Sequence, residues 1–236
     1  MESRAMNPVE LAAWRPQRFG TGNAKKVIDP IIEPLWEGVR VLVRVGLGGS
    51  AAGSPGPSVE IVNDAGRTLT DFAEIAAAIA AAARASSLVI DGYLTGQATR
   101  PSEGIGLEGP QAPTASDMAA QLFLGSAGRR RRHELDRSRR TAAAAGPLAF
   151  VAVDLLLVDD EPLVDVPLLE RKRILEQVLE EGDLVRRTVF VRPPVDPWLG
   201  TWRSVGFGSL AYKAANSRYR PGEPNPAWAT VRIPQR

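Results

Sequence analysis

The sequence predicts an α+β fold. Segments with strand periodicity and segments with helix periodicity are mixed along the chain, without the strict alternation that marks a parallel α/β fold. Short clusters of glycine, proline, serine, asparagine and aspartate separate them, as turns require. With 236 residues, 44% of them hydrophobic, the chain can fill the core of one large domain or two small ones.

Residues 39–45 set Val39, Val41, Val43 and Val45 against Arg40, Leu42 and Arg44, the period of a strand with one buried face. The Gly/Ser/Pro-rich run 46–57 is a long turn or loop leading to a second strand, Val59 to Asn63. Ala65-Gly66-Arg67 is a turn. Asp71 followed by Glu74 marks a helix start, with carboxylates near the positive end of the dipole, and the alanine-rich segment carries that helix to Ala85. Leu88 to Leu94 is a strand containing Asp91-Gly92. Residues 95–147 lack steady periodicity, apart from a short helical patch at 117–124, and predict a surface excursion. Phe150 to Val158 is a buried strand and Asp159-Asp160 a turn. Pro167 opens a helix over Leu168 to Glu181, with Gly182 as its stop. Val189 to Val191 is a strand, Trp198 to Val205 a short helix, and Leu210 to Lys213 a further strand. There is no internal repeat.

Composition excludes several classes. The chain has no cysteine, hence no disulfide and no thiolate metal site, and this fits a reducing, cytoplasmic setting. The first residues, Met1 to Trp14, carry Glu2 and Glu10 and lack the apolar stretch of a signal peptide. The longest apolar run, Ile75 to Ala83, is far too short to span a bilayer. Charge is uneven. Residues 129–140 hold seven arginines against Glu134 and Asp136, a local +5, so the rest of the chain sums to −3 within the overall +2. Arg129, Arg130, Arg131, Arg132, Arg137, Arg139 and Arg140 are therefore the candidate contacts to an anionic partner, weighed against an ordinary solvated loop. His133 stands alone inside that run and makes no metal site.

The stretch Glu33-Pro34-Leu35-Trp36-Glu37-Gly38-Val39-Arg40 has the form of an active-site motif lacking its nucleophile. It resembles the Glu-Pro-Lys-Trp-Asp-Gly-x-Arg signature of ATP-dependent DNA ligases, above all the ligase domain of bacterial end-joining enzymes. In that family the lysine attacks the α-phosphate of ATP. Leu35 stands there, and an isobutyl group has no lone pair to offer. Further blocks recur in order. Val59 to Arg67 is similar to the family's strand ending in Ser-Arg-x-Gly, with Asn63-Asp64 for Ser-Arg. Leu88 to Leu94 is similar to its Asp-Gly-Glu strand, with Tyr93 for the glutamate that contacts ribose or metal. Phe150 to Leu156 resembles the strand whose phenylalanine stacks on adenine, here Val153. Pro167 to Lys172 matches the family's Pro-Leu-Leu-Glu-Arg helix start. Gly208 to Lys213 is similar to Glu-Gly-x-Val-x-Lys, with Gly208 and Ser209 for Glu-Gly and Lys213 retained. Asn216 to Gly222 and Pro226 to Trp228 follow the family pattern, whose closing Trp-x-Lys-x-Lys is Trp228-Ala229-Thr230-Val231-Arg232 here.

The resemblance covers about residues 28–232. It implies an ATP-grasp-like nucleotidyltransferase domain of the DNA-ligase type, with antiparallel sheets flanked by helices around a central cleft. On this reading residues 1–27 are an N-terminal extension and 28–236 the domain, with the basic excursion at 95–147 and no OB-fold domain after it. Leu35, Tyr93, Gly208 and Thr230 stand where phosphoryl transfer needs a nucleophile, metal carboxylates and a phosphate-binding lysine. The expectation is a catalytically degenerate ligase-like protein, a DNA-binding or scaffolding component of DNA repair, with no cofactor. ATP and Mg²⁺ enter only under the alternative of residual nick sealing at a rearranged site; a pure protein-interaction module is the third reading. Glu37, Arg40, Lys213 and Arg232 are the vestigial nucleotide contacts, unless Glu37 and Lys213 merely pair across the cleft. Lys25 and Lys26 are candidate replacement nucleophiles, ten and nine residues upstream of Leu35. The expected partner is duplex or nicked DNA, bound weakly and in a salt-sensitive way, with other repair proteins as further partners.

Overall fold

The computed structural model describes residues 8–47, 57–97 and 148–234. Its main layer is an antiparallel sheet in the order β4 (Val59–Asn63), β3 (Val39–Val45), β5 (Leu88–Thr95), β6 (Ala149–Val158). The far edge of β6 is shared. At one end it pairs antiparallel with β7 (Glu161–Pro162), at the other parallel with β8 (Val185–Arg187). A second, three-stranded antiparallel sheet runs β11 (Trp228–Arg232), β9 (Ser209–Ala214), β2 (Pro30–Pro34). A short parallel pair joins β1 (Arg18–Phe19) to β10 (Pro224–Asn225). The helices are α1 (Pro8–Ala13), α2 (Ala73–Ala82), α3 (Leu168–Val178) and α4 (Asp196–Ser204). The α+β, antiparallel expectation is met.

The larger sheet lies in the middle of the molecule. Val41, Val43, Val45 and Ile90 pack on one side with Ile75 and Ile79 of α2 and Leu175 of α3. On the other side Leu42 and Val89 meet Ile31 of β2 and Trp228 of β11. The expectation of one buried face for residues 39–45 is thus corrected: Leu42 is as deeply buried as its valine neighbours, because the smaller sheet covers the second face. Nine residues of β6, Ala149 to Leu157, are buried for the same reason.

Both long helices end sooner than periodicity suggests. Ala83 and Leu179 turn extended and form a bridge to each other, so α2 stops at Ala82 and α3 at Val178, short of Ala85 and Glu181. The mutual bridge satisfies backbone groups at both helix ends at once. The strand expected at Val189–Val191 reduces to a single bridge between Val191 and Ile32, while Val185–Arg187 takes the free edge of β6. Asp159 and Asp160 do form the expected turn, both at positive φ. Within the N-terminal segment, Leu11 and Trp14 join the core between the sheets. The helical patch at 117–124 and the arginine run at 129–140 lie outside the described residues.

Candidate functional site

The segment 33–40 crosses from the small sheet to the large one, and its residues divide by destination. Glu33, on β2, points inward and is almost fully buried. Its two carboxylate oxygens meet two ammonium groups, Lys172 Nζ of α3 at 2.5 Å and Lys213 Nζ of β9 at 2.7 Å. Lys213 also lies over the Trp228 ring, 4.3 Å from its centroid. Burial pushes the Glu33 carboxyl up, but the two ammonium groups outweigh it and hold the pKa below the ordinary value. Burial pushes Lys172 down, and the pull of Glu33 does not fully restore it. The sequence offers Glu37 as the partner of Lys213; the structure corrects this to Glu33. Glu37 is exposed, and its backbone N–H donates to Gln97 Oε1 at 2.7 Å.

Gly38 has φ +134°, and a Cβ there would lie 2.2 Å from the Leu94 carbonyl oxygen. Glycine is needed there by the backbone itself. Trp36 is a packing residue, with its ring edge-on to Phe207 and its Nε1 donating to Thr188 Oγ1 at 2.9 Å.

On β3, Arg40 sits directly across from Tyr93 on β5, with Asp91 two residues away on the same face of that strand. The guanidinium donates twice to Asp91, Nε to Oδ1 at 2.7 Å and Nη2 to Oδ2 at 2.6 Å, and Nη1 donates to the Tyr93 hydroxyl at 3.0 Å. Tyr219 donates its hydroxyl to Asp91 Oδ2 at 2.7 Å and accepts from the Gln17 backbone N–H. Burial alone would lower the pKa of Arg40, yet the Asp91 carboxylate raises it well above the usual value. Burial, then the Asp91 charge, pushes the Tyr219 phenol well above its ordinary range. Gly92 faces Phe150, whose ring a Cβ would meet at 2.3 Å.

These elements border a cleft of about 320 Å³ lined by Pro16, Gln17, Arg18, Phe19, Leu35, Trp36, Arg40, Asp64 and Tyr93. Leu35 and Arg40 come from the sequence-level site. Lys213 and Glu37 do not line the cleft, and Arg232 lies exposed at the end of β11, opposite Ser209. Lys25 and Lys26 are exposed on a 3-10 turn, Ala24–Lys26, outside the lining. Val153 is buried beside Trp36, Tyr93 and Trp202 in the core. Among the described residues no three of His, Cys, Asp and Glu converge closely enough to hold a metal ion. Periodicity gave no signal for Gln17, Arg18 and Phe19, because their segment joins the site through an isolated two-residue strand. Lys172 does fall at a buried helical position three residues before Leu175, and its charge on an apolar face was the available clue.

No family model matches the chain. It is 31% identical over 90 residues to a DNA ligase of Thermococcus onnurineus, an alignment covering 36% of this chain and 16% of that protein. It is 31% identical over 96 residues to a probable DNA ligase of Streptomyces coelicolor, covering 39% and 19%. Each alignment thus spans less than a fifth of the relative's length. In fold, 94% of the chain superposes on 60% of the ligase domain of LigD from M. tuberculosis, with a TM-score of 0.58 and 19% identity. A mycobacterial DNA ligase D solved with ATP and MES gives a TM-score of 0.54 at 19% identity, over 92% and 59% of the two chains.

Proposed function

We propose that this DNA ligase-like protein, which has the nucleotidyltransferase domain fold of ATP-dependent DNA ligases, binds DNA as a non-catalytic component of repair in the cytoplasm. One observation carries the proposal. The side chain at the position the resemblance gives to the nucleophile is Leu35, half-buried in the cleft wall, and no lysine is among the described residues that line that cleft.

Covalent nucleotidyl transfer requires an amine with a free lone pair near an activated phosphate. The two lysines nearest the motif in the folded chain, Lys172 and Lys213, are both held by Glu33 in the interior. The residues present also fit a metal-bound triphosphate poorly. Tyr93 offers a phenol where a carboxylate would hold metal, and it is engaged by Arg40. Gly208 offers no side chain at all. Arg40 spends three of its nitrogens on Asp91 and Tyr93, and Asp64 adds a negative charge at the cleft mouth. Phosphoryl transfer depends on positive charge placed against the phosphates, and among the described lining residues Arg18 alone offers any that is uncommitted.

DNA as partner is supported by the ligase-like fold and by the arginine run at 129–140. The test pairs two measurements on the full chain. Incubation with labelled ATP and a denaturing gel should reveal no protein–AMP adduct, and a salt titration with duplex DNA should show affinity falling steeply as salt rises. An acid-labile AMP adduct on any lysine overturns the non-catalytic reading. Absence of DNA binding at low salt overturns the partner and favours a protein-interaction module.

A further inference from the structure

The cleft has a composition that ligation does not account for. Three aromatic rings border it, those of Phe19, Trp36 and Tyr93, with the isobutyl group of Leu35 among them. The Arg40 guanidinium carries Tyr93 and Phe19 rings, at 5.0 Å and 5.9 Å from their centroids, and its charge is neutralised by Asp91. Much of the wall is therefore aromatic and apolar.

Of the described polar side chains on its border, Gln17 leaves one atom without a partner and Asp64 leaves its whole carboxylate so. Gln17 is buried, and its Oε1 accepts from the Arg220 N–H at 2.5 Å and from Asn225 Nδ2 at 3.1 Å, which fixes the orientation of the amide. Its Nε2 is left buried with no hydrogen-bond partner. At the mouth, the exposed Asp64 carboxylate makes no ion pair or side-chain hydrogen bond among the described residues, and it can accept from an amino group.

Uncommitted positive charges lie at the cleft and on the elements next to β1. Arg18 lines the mouth on β1, Lys25 and Lys26 sit on the 3-10 turn, and Arg232 ends β11; β1 and the turn both pack against β11. None of the four is in an ion pair among the described residues, while the neighbouring Asp29 is taken by Arg192. Aromatic walls with cations alongside are the chemistry that holds a single-stranded segment, its bases stacking and its phosphates on the charges.

We infer that the cleft receives one unpaired nucleobase of a DNA strand, whose phosphates follow Arg18, Lys25, Lys26 and Arg232. This rests on the DNA-binding reading above. The base stacks against Phe19 and Tyr93, and an exocyclic amine meets Asp64. A triphosphate is disfavoured by the same Asp64 charge, while a phosphodiester lying outside on Arg18 is not.

The test compares a blunt duplex with the same duplex carrying one unpaired 2-aminopurine at a strand end, by anisotropy and by 2-aminopurine fluorescence. The wild type should bind the unpaired form about tenfold more tightly, the scale of one base–aromatic stack, and should quench its fluorescence. Phe19→Ala, which removes a stacking ring, and Leu35→Trp, which fills the cleft, should each bring the ratio of affinities close to one. Equal affinity of the wild type for both duplexes overturns the inference and leaves the DNA-binding reading standing. So does a ratio unchanged in both variants, or displacement of the 2-aminopurine by AMP at equal concentration, which would make the cleft a free-nucleotide site. Binding of neither duplex overturns both readings together.

Discussion

Replacing Glu33 by glutamine keeps the shape of the side chain and removes the one carboxylate between two buried ammonium groups. The contacts at 2.5 Å to Lys172 and 2.7 Å to Lys213 both lose their charge complement, with all three side chains at most 4% exposed. Breaking a buried pair from one side costs about 3–5 kcal/mol. An independent bound agrees: discharging a lysine of ordinary pKa at pH 7 costs about 4.6 kcal/mol, and less for Lys172, which burial already depresses. Glu33→Gln should therefore lose about 3–5 kcal/mol at pH 7, a large part of the stability of an ordinary domain. The loss should shrink as pH rises toward 10. Lysines whose folded pKa lies below the unfolded value bind fewer protons when folded, so stability grows with pH through that interval. For the wild type the acid side has the same sense. Glu33 is held below its ordinary pKa, so its contribution is complete above the unfolded carboxyl value and is lost as pH falls through the folded one. Urea denaturation followed by tryptophan fluorescence measures the alkaline effect at pH 7 and pH 9.5, and the acid effect on the wild type when extended to about pH 3. A loss under 1 kcal/mol at pH 7, or one that does not diminish at pH 9.5, would refute the assignment of Glu33 as the counter-charge.

Leu35→Lys alone should not produce nick sealing, because Tyr93, Gly208 and Thr230 still stand where the ligase resemblance implies metal and phosphate contacts, and such groups act as a unit; robust sealing in a gel assay with ATP and Mg²⁺ would contradict this. Changing Arg129, Arg130, Arg131 and Arg132 to serine should remove most duplex binding and flatten its salt dependence, with wild-type affinity in the non-specific range, on the order of micromolar or weaker at physiological salt; equal binding by the variant would move the contact elsewhere. Gly92→Ala should destabilise the fold by about 1–3 kcal/mol, since its Cβ must displace the Phe150 ring and lies 2.5 Å from the Val151 carbonyl oxygen; an unchanged urea midpoint would show that β5 and β6 can part at low cost.

The sequence by itself determined the elements whose cause is local. The valine alternation made β3, Asp159-Asp160 made a turn, and the apolar periodicity after Pro167 made α3. It also set Leu35, a side chain with no lone pair in any fold, at the position where the ligase resemblance implies a nucleophile. Only the tertiary structure decided where charges meet. Lys213 lies 180 residues from Glu33 in sequence, and no spacing rule distinguishes Glu33 from Glu37 as its partner; the antiparallel register of β2 on β9 turns one inward while the other lies beyond the strand in solvent. The same holds for Leu42, a residue of the presumed polar face that a second sheet buries, and for Gln17, Arg18 and Phe19, which reach the cleft by way of a two-residue strand. Local pattern reports what a segment does to its own backbone, whereas the layer above it sets burial, and burial decides which charges must pair.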